Sequence, residues 1–257
     1  MKIISLLENT TNKNLKTEHG LSLYVEALGK RMLFDFGGSD LFLENAKKIG
    51  VDLSLVDFAV LSHGHNDHGG GLNTFLQVNK KAPVYVNPYA FEPHYNKKGG
   101  YIGLEKLPSS NRIIWVEKSA KIHTGLTVFN CNGSELSFPI NANGHTKIAC
   151  GVSLPEDYLH EQYLMIEESG KRVLLSGCSH KGILNIMDWV KPTHLIGGFH
   201  FSKLPLDKEL IKYARCLGEY DTEYYTCHCT GTEQFEYMKP HIKGLHYLAC
   251  GDEIVIY

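Results

Sequence analysis

Short β-branched and aromatic runs recur along the chain, with helical-period segments inserted between some of them. Met1–Leu7 is such a run, broken at Glu8, and reads as a first strand. Leu21–Ala27 and Lys30–Phe34 pattern as paired strands joined by a tight turn at Leu28-Gly29. Over Ser39–Ile49 the positions Leu41, Phe42, Asn45-Ala46 and Ile49 fit a helix ended by Gly50. Leu55–Leu61 predicts a buried strand, and Leu72–Val78 a helix that starts after Gly69-Gly70-Gly71. Pro88–Ser110 is rich in Pro, Gly, Lys and Tyr and carries weak periodicity, so it reads as a long active-site loop or a small excursion from the core.

Strands resume at Arg112–Val116 and Ile122–Phe129, followed after a loop by Ile148–Leu154, Gln162–Glu167 and Arg172–Leu175. Beyond that point helices and strands alternate. Gly182–Val190, Leu206–Leu217 and Thr232–Met238 pattern as helices, and His194–Ile196, Tyr224–Cys227, Leu245–Leu248 and Glu253–Ile256 as strands. Linker composition and fixed-period repeats are both absent, so residues 1–257 are expected to form a single domain. Strand-rich blocks with helices added in both halves predict an α/β (α+β) arrangement of two sheets packed face to face, with helices outside.

Composition narrows the function classes. Hydrophobic residues make up 43% and charged residues 21% of the 257 positions, a globular balance with no disorder signature. A formal charge of −2 gives no electrostatic reason to expect nucleic acid or a membrane surface as partner. Met1–Leu7 is too short for a signal-peptide core or a spanning helix. Seven cysteines, an odd number without framework spacing, point to a reduced, cytoplasmic setting. Fourteen histidines are many for this length, so their placement matters.

Four ligand-type residues crowd into one place. Ser62–Leu72 reads S-H-G-H-N-D-H-G-G-G-L, an apolar strand running into a glycine-rich turn. His63 and His65 are two apart, so an extended backbone points both to one side. Asp67 and His68 follow where the chain folds back. Three imidazoles and a carboxylate are N/O donors suited to Zn(II), with Mn(II) or Fe as alternatives. The glycines let the backbone bend where a Cβ would collide.

The run H-G-H-N-D-H resembles the H-x-H-x-D-H signature of the metallo-β-lactamase superfamily, whose fold is a four-layer αββα sandwich. Glu18-His19-Gly20-Leu21-Ser22 and Leu33-Phe34-Asp35-Phe36-Gly37 stand where that superfamily has its early hairpin and F-D-x-G turn. Ser176-Gly177-Cys178-Ser179-His180, Gly197-Gly198-Phe199-His200 and Cys227-His228-Cys229-Thr230-Gly231 are similar to a subgroup of dihydropterin–ribofuranosylaminobenzene phosphate synthase-like proteins. The resemblance implies one or two metal ions. His63 and His65 would bind the first, with His160 as third ligand and His145 as the alternative. Asp67 and His68 would serve the second. Cys178 stands where a bridging Asp is usual, a departure that puts the second ion in doubt. His228 is the expected last ligand and His200 the alternative. Asp35 would orient a ligand imidazole through its other ring nitrogen.

Such ions lower the pKa of a bound water from about 15.7 to about 7 and polarise the bond under attack. Hydrolysis of a phosphoester or acyl bond is therefore the first expectation, with His180 or His200 as proton donor and Asp67 counted among the catalytic groups. The substrate is expected to be a small anionic, phosphate-bearing molecule, with a pterin as one candidate. Tyr89, Tyr95 and Tyr101 with Lys97-Lys98 are candidates for lining its pocket. The subgroup implies instead a transferase joining a dihydropterin to ribofuranosylaminobenzene phosphate. A non-catalytic metal- or ligand-binding protein is the reading of another class.

Overall fold

In the computed structural model, which describes residues 1–105 and 110–257, the turn at Leu28-Gly29 has positive φ at both residues, 53° and 70°. That geometry matches the twist of a hairpin. It joins β2 (Ser22–Ala27) to β3 (Lys30–Phe34) with Leu23 opposite Phe34 and Ala27 opposite Lys30. β1 (Lys2–Leu7) pairs antiparallel with β2, and parallel strands β4 (Phe58–Val60) and β5 (Val84–Val86) extend the sheet beyond β3. A small sheet elsewhere is formed by β6 (His94–Tyr95), β10 (Thr146–Ala149) and β11 (Val152–Pro155). β7 (Ile113–Trp115) closes one edge of the first sheet and β17 (Glu253–Val255) the other.

The second large sheet runs β16 (Leu245–Tyr247), β15 (Glu223–Thr226), β14 (His194–Gly197), β13 (Lys171–Leu175), β12 (Tyr163–Glu168), β9 (Leu126–Phe129) and β8 (Ser119–His123). From β13 to β16 the neighbours are parallel, which requires crossovers. Helices α4 (Ile183–Val190), α5 (Lys208–Gly218) and α6 (Thr232–Met238) supply them.

Side-chain alternation along the strands divides the apolar residues into three layers. Leu23, Val25, Phe34 and Val60 face Val128, Leu164, Ile166 and Ile196 between the sheets. Leu33 and Leu61 point the other way and meet Phe42 of α1 (Leu41–Ile49) and Phe75 of α3 (Leu72–Val78), which follows the one-turn α2 (Asn66–Gly69). On the opposite side Leu174 and Leu195 meet Ile186, Leu210 and Phe235 of α4, α5 and α6. The architecture is the αββα sandwich. Each fully buried Leu, Ile or Phe in these layers stabilises it by roughly 1.5–3 kcal/mol. Among the described residues, no helix is long and apolar enough to cross a membrane.

Two expected strands are hairpins. Ile122–Phe129 turns back at Gly125 (φ 78°) into β8 and β9, and Ile148–Leu154 turns at Cys150-Gly151 (φ 51° and 77°) into β10 and β11. In both, only one or two residues reverse the chain between β-branched and apolar positions, too short an interruption to break the strand pattern. β5 was not anticipated, because three residues are too few to show a period. The Pro88–Ser110 segment is an excursion carrying β6, which pairs with β10. Its residues 106–109 lie outside the described residues. This excursion docks on the histidine cluster, where the Asn66 N–H donates to the Ile102 carbonyl at 2.8 Å.

Candidate metal centre

β4, β13, β14 and β15 all end at one rim of the sandwich, and each runs directly into a histidine-bearing loop. The loops are tied to one another through their backbones. The Gln162 N–H donates to the Ser62 carbonyl (2.8 Å), Gly198 to Gly177 (2.9 Å) and Ser202 to Cys229 (2.9 Å). Close approach requires glycine: a Cβ on Gly64 would lie 2.0 Å from the Ala90 carbonyl oxygen, and one on Gly177 2.2 Å from Ser62 Oγ. Four non-glycine residues here adopt left-handed backbone, Asp35 (φ 63°), Ser179 (57°), His200 (58°) and His228 (51°). Each costs on the order of 1–3 kcal/mol, which the surrounding hydrogen bonds must offset.

Hydrogen bonds at the outer ring nitrogens set which nitrogen faces inward. The buried Asp35 accepts from the Ser62 N–H through Oδ1 (2.7 Å) and from Ser62 Oγ through Oδ2 (2.7 Å). Ser62 Oγ is thus left to accept from His63 Nδ1 at 2.8 Å. Asp35 Oδ2 also accepts from His68 Nδ1 at 2.7 Å, and Asn9 Oδ1 accepts from His228 Nδ1 at 2.9 Å. With their Nδ1 protons so engaged, His63 and His228 present bare Nε2 lone pairs to the interior, and His68 does so once a bound cation displaces its Nε2 proton.

Those lone pairs converge with others. His180 Nε2 lies 3.2 Å from His63 Nε2 and 3.2 Å from His65 Nδ1. His228 Nε2 lies 3.1 Å from His68 Nε2 and 3.2 Å from Asp67 Oδ2, with Asp67 Oδ2 3.7 Å from His68 Nε2. Cys178 Sγ is 3.2 Å from His68 Nε2. Donors held about 2.0–2.1 Å from a tetrahedral ion are spaced about 3.3 Å apart. Facing lone pairs repel unless a cation stands between them, so both groups fit a divalent ion.

The distribution of the candidates differs in part from the sequence reading. His63, His65, Asp67, His68, Cys178 and His228 come together. His180, expected as a proton donor, stands with His63 and His65 instead. His160 turns aside, its Nδ1 accepting the Gly64 N–H at 2.8 Å while its ring stacks on His94 at 4.1 Å. His145 lies near the Tyr158 hydroxyl, 3.3 Å away. His200 is edge-on to His180 with ring centres 4.3 Å apart. A cleft of about 480 Å³ opens over the centre, bordered by Tyr101, Asn96, His145, His200 and Lys203. Of the tyrosines and lysines expected to line a pocket, Tyr101 alone borders it among the described residues, and the basic group is Lys203.

Two carboxylates that sequence reasoning passed over hold the loops. Glu161 accepts from the His180 N–H (2.6 Å), the Lys181 N–H (3.0 Å) and the Tyr163 hydroxyl (2.7 Å). Glu8 accepts from the His228 N–H (2.6 Å) and the Tyr247 hydroxyl (2.8 Å). A carboxylate interrupting an apolar strand, as Glu8 does, was the available signal.

Burial and neighbouring imidazoles hold His63 and His180 well below the ordinary histidine range, and burial does the same to His65. Burial, then His145 and Lys203, bring His200 down to about 3. Burial opposes the charged form of His68 as well, but Asp67 and Asp35 outweigh it and hold the ring up at about 9. Burial and the adjoining Cys229 push the Cys178 thiol well up. Without metal, the depressed histidines should make stability fall as pH drops from 7 towards 5. The unfolded chain takes up protons below about 6.5 that these folded rings refuse, at roughly 1.4 kcal/mol per pH unit for each net proton. His68 works oppositely; its contribution is full below about 6.5 and lost as pH rises through about 9. The urea midpoint of chelator-treated protein should therefore be lower at acid pH than at neutrality, and an unchanged midpoint would contradict buried neutral rings.

An αββα sandwich with imidazole clusters at its strand ends is the build of a metal-binding class of proteins. Residues 16–220 match the metallo-beta-lactamase superfamily, and the chain belongs to it. A 7,8-dihydropterin-6-methyl-4-(beta-D-ribofuranosyl)-aminobenzene-5'-phosphate synthase of Methanocaldococcus jannaschii is 29% identical, covering 90% of this chain and 88% of that protein. An uncharacterized protein of the same organism is 26% identical, with 88% and 89% covered. The crystal structure of a metal-dependent hydrolase of the beta-lactamase superfamily superposes with a TM-score of 0.84 at 27% identity, covering 100% of this chain and 99% of that one.

Proposed function

We propose that the protein is a metal-dependent hydrolase of a phosphoester or acyl bond in a small anionic substrate. His63, His65 and His180 hold one divalent ion; Asp67, His68 and His228 hold a second, with Cys178 beside it. The observation that carries this reading is the convergence of His180 Nε2 on His63 Nε2 and His65 Nδ1 at 3.2 Å each. Bound there, such ions supply Lewis acidity and make water acidic enough to ionise near pH 7. Nitrogen donors with a neighbouring thiol suit Zn(II), or Fe.

The chain's own groups do the rest. Asp35 and Asn9 keep the ligand rings in the required tautomer. Lys203 at the cleft border attracts the substrate's negative charge. His200, held neutral by burial, is a poor proton source at neutral pH but a good hydrogen-bond donor to a substrate oxygen. This moves it from general acid to substrate binding.

The test is metal content together with turnover of bis-p-nitrophenyl phosphate and simple acyl esters. Metal-replete protein should hydrolyse at least one of them, lose activity with a chelator and regain it with Zn(II), Mn(II) or Fe(II). Full metal with no turnover on any ester would overturn the hydrolase. The second reading, a pterin transferase, is favoured by the synthase relative and by an open cleft bordered by Tyr101 and Lys203. A pterin retained through purification would support it.

A further inference from the structure

Beneath the proposed centre lies a second buried polar cluster, made by His65, His94, Glu156 and His160. Each offers a polar atom within 4.8 Å of the others, and all four are at most 4% exposed. The Nε2 atoms of His65, His94 and His160 are buried without a hydrogen-bond partner. Such a group invites a cation, but the tautomers decide otherwise. His160 Nδ1 accepts the Gly64 N–H, so its proton is on Nε2. His65 turns Nδ1 to the His63–His180 group, so its proton is on Nε2 as well. His94 donates from Nδ1 to Glu156 Oε2 at 2.7 Å, which leaves its Nε2 bare. Glu156 Oε1 accepts from the Tyr158 N–H at 3.0 Å and keeps a second lone pair; it stands 3.6 Å from His160 Nε2, too far for a direct bond.

The count is two donors and two acceptors around one point. A metal ion would need two further ring protons removed. One water needs nothing removed: it accepts from His65 and His160 and donates to His94 and Glu156. Four partners are the full complement of a buried water. Atoms all within 4.8 Å of one another can each reach a central water at about 2.8 Å, with the corner between Glu156 Oε1 and His160 Nε2 narrowed to 3.6 Å.

We propose that Glu156, with His94 and His160, is a positioning group for His65, acting through one buried water. The water carries the pull of the Glu156 carboxylate to the His65 Nε2–H, which fixes the ring with Nδ1 toward the metal and makes that nitrogen a stronger donor. It also binds β6 and the segment after β11 to the histidine turn. The proposal rests on His65 being a ligand, as argued above.

Zinc affinity by competition with a chromophoric chelator tests it on wild type, Glu156→Gln and His94→Phe, alongside a high-resolution crystal structure of the wild type. Glu156→Gln preserves shape but removes the charge, and it should weaken zinc binding roughly 10–100-fold while far-UV circular dichroism stays unchanged. His94→Phe should do the same, and density for a water with four partners should stand between the residues. Unchanged affinity in a folded Glu156→Gln variant overturns the proposal and leaves the two-ion reading intact. An anomalous zinc peak at the water position also overturns it. A wild type that binds no metal overturns both.

Discussion

Replacing His180 with Ala should remove metal from the His63–His65 pair and lower hydrolytic turnover by on the order of a hundredfold or more. Loss of a group that merely orients a ligand already costs about 10–100-fold, so loss of a ligand sets that as the lower bound. The geometry leaves little redundancy. His180 Nε2 is the atom that meets both partners at 3.2 Å, while His160 has its Nδ1 committed to the Gly64 N–H. The fold should survive, because the backbone of this turn is held by Glu161 through the His180 and Lys181 N–H groups, which the substitution keeps. Metal analysis and turnover on the same preparation are the readouts. Full metal in His180→Ala, with metal lost from His160→Ala instead, would exchange the two residues' roles.

Asp35→Ala should be the most destabilising single change at the site, costing about 3–5 kcal/mol. Asp35 is fully buried and accepts from the Ser62 N–H, the Ser62 hydroxyl and His68 Nδ1. Truncation strands three donors away from water, each worth roughly 1–3 kcal/mol when left unpaired. For a chain of this size that corresponds to a melting temperature lower by roughly 10 °C. Asp35→Asn fills the same space and spares much of the stability. Its amide nitrogen donates and accepts nothing, so whichever of Ser62 and His68 faces it loses its acceptor, and metal binding should still weaken about 10–100-fold. A thermal unfolding series with and without zinc separates the two effects. Wild-type stability in Asp35→Ala would show that Ser62 and His68 find other partners.

The β2–β3 hairpin, helix α1 up to Gly50 and the alternation from β13 to β16 were legible because their signals are local: a turn pair with positive φ, a helical period, a left-handed cap. The hairpins at Gly125 and Cys150-Gly151 were not, since one or two residues reverse the chain there without breaking the strand-like pattern around them. The first four site residues were legible for the same local reason. Spacing by two on an extended strand end aims His63 and His65 together, and the glycines behind them permit the bend that brings Asp67 and His68 round.

The remaining site residues depended on distance in space. His160 and His180 flank β12 and β13 of the second large sheet while His145 precedes β10 of the small one, and sequence counting had no means of ranking their directions. Ser179, with φ at 57°, turns the chain so that His180 reaches the cluster, and a left-handed serine leaves no mark in a residue pattern. His200 and His228 both end parallel strands in left-handed backbone; the Glu8 carboxylate and Asn9, near the start of the chain, draw His228 toward Asp67. The amino-acid order alone thus determined two packed sheets with helices outside and the grouping of His63, His65, Asp67 and His68, because both arise from patterns within a few residues. Which further histidines join the proposed centre was decided by tertiary structure, because His180 and His228 stand more than a hundred positions along the chain from His63 and His68 and only folding brings their rings together.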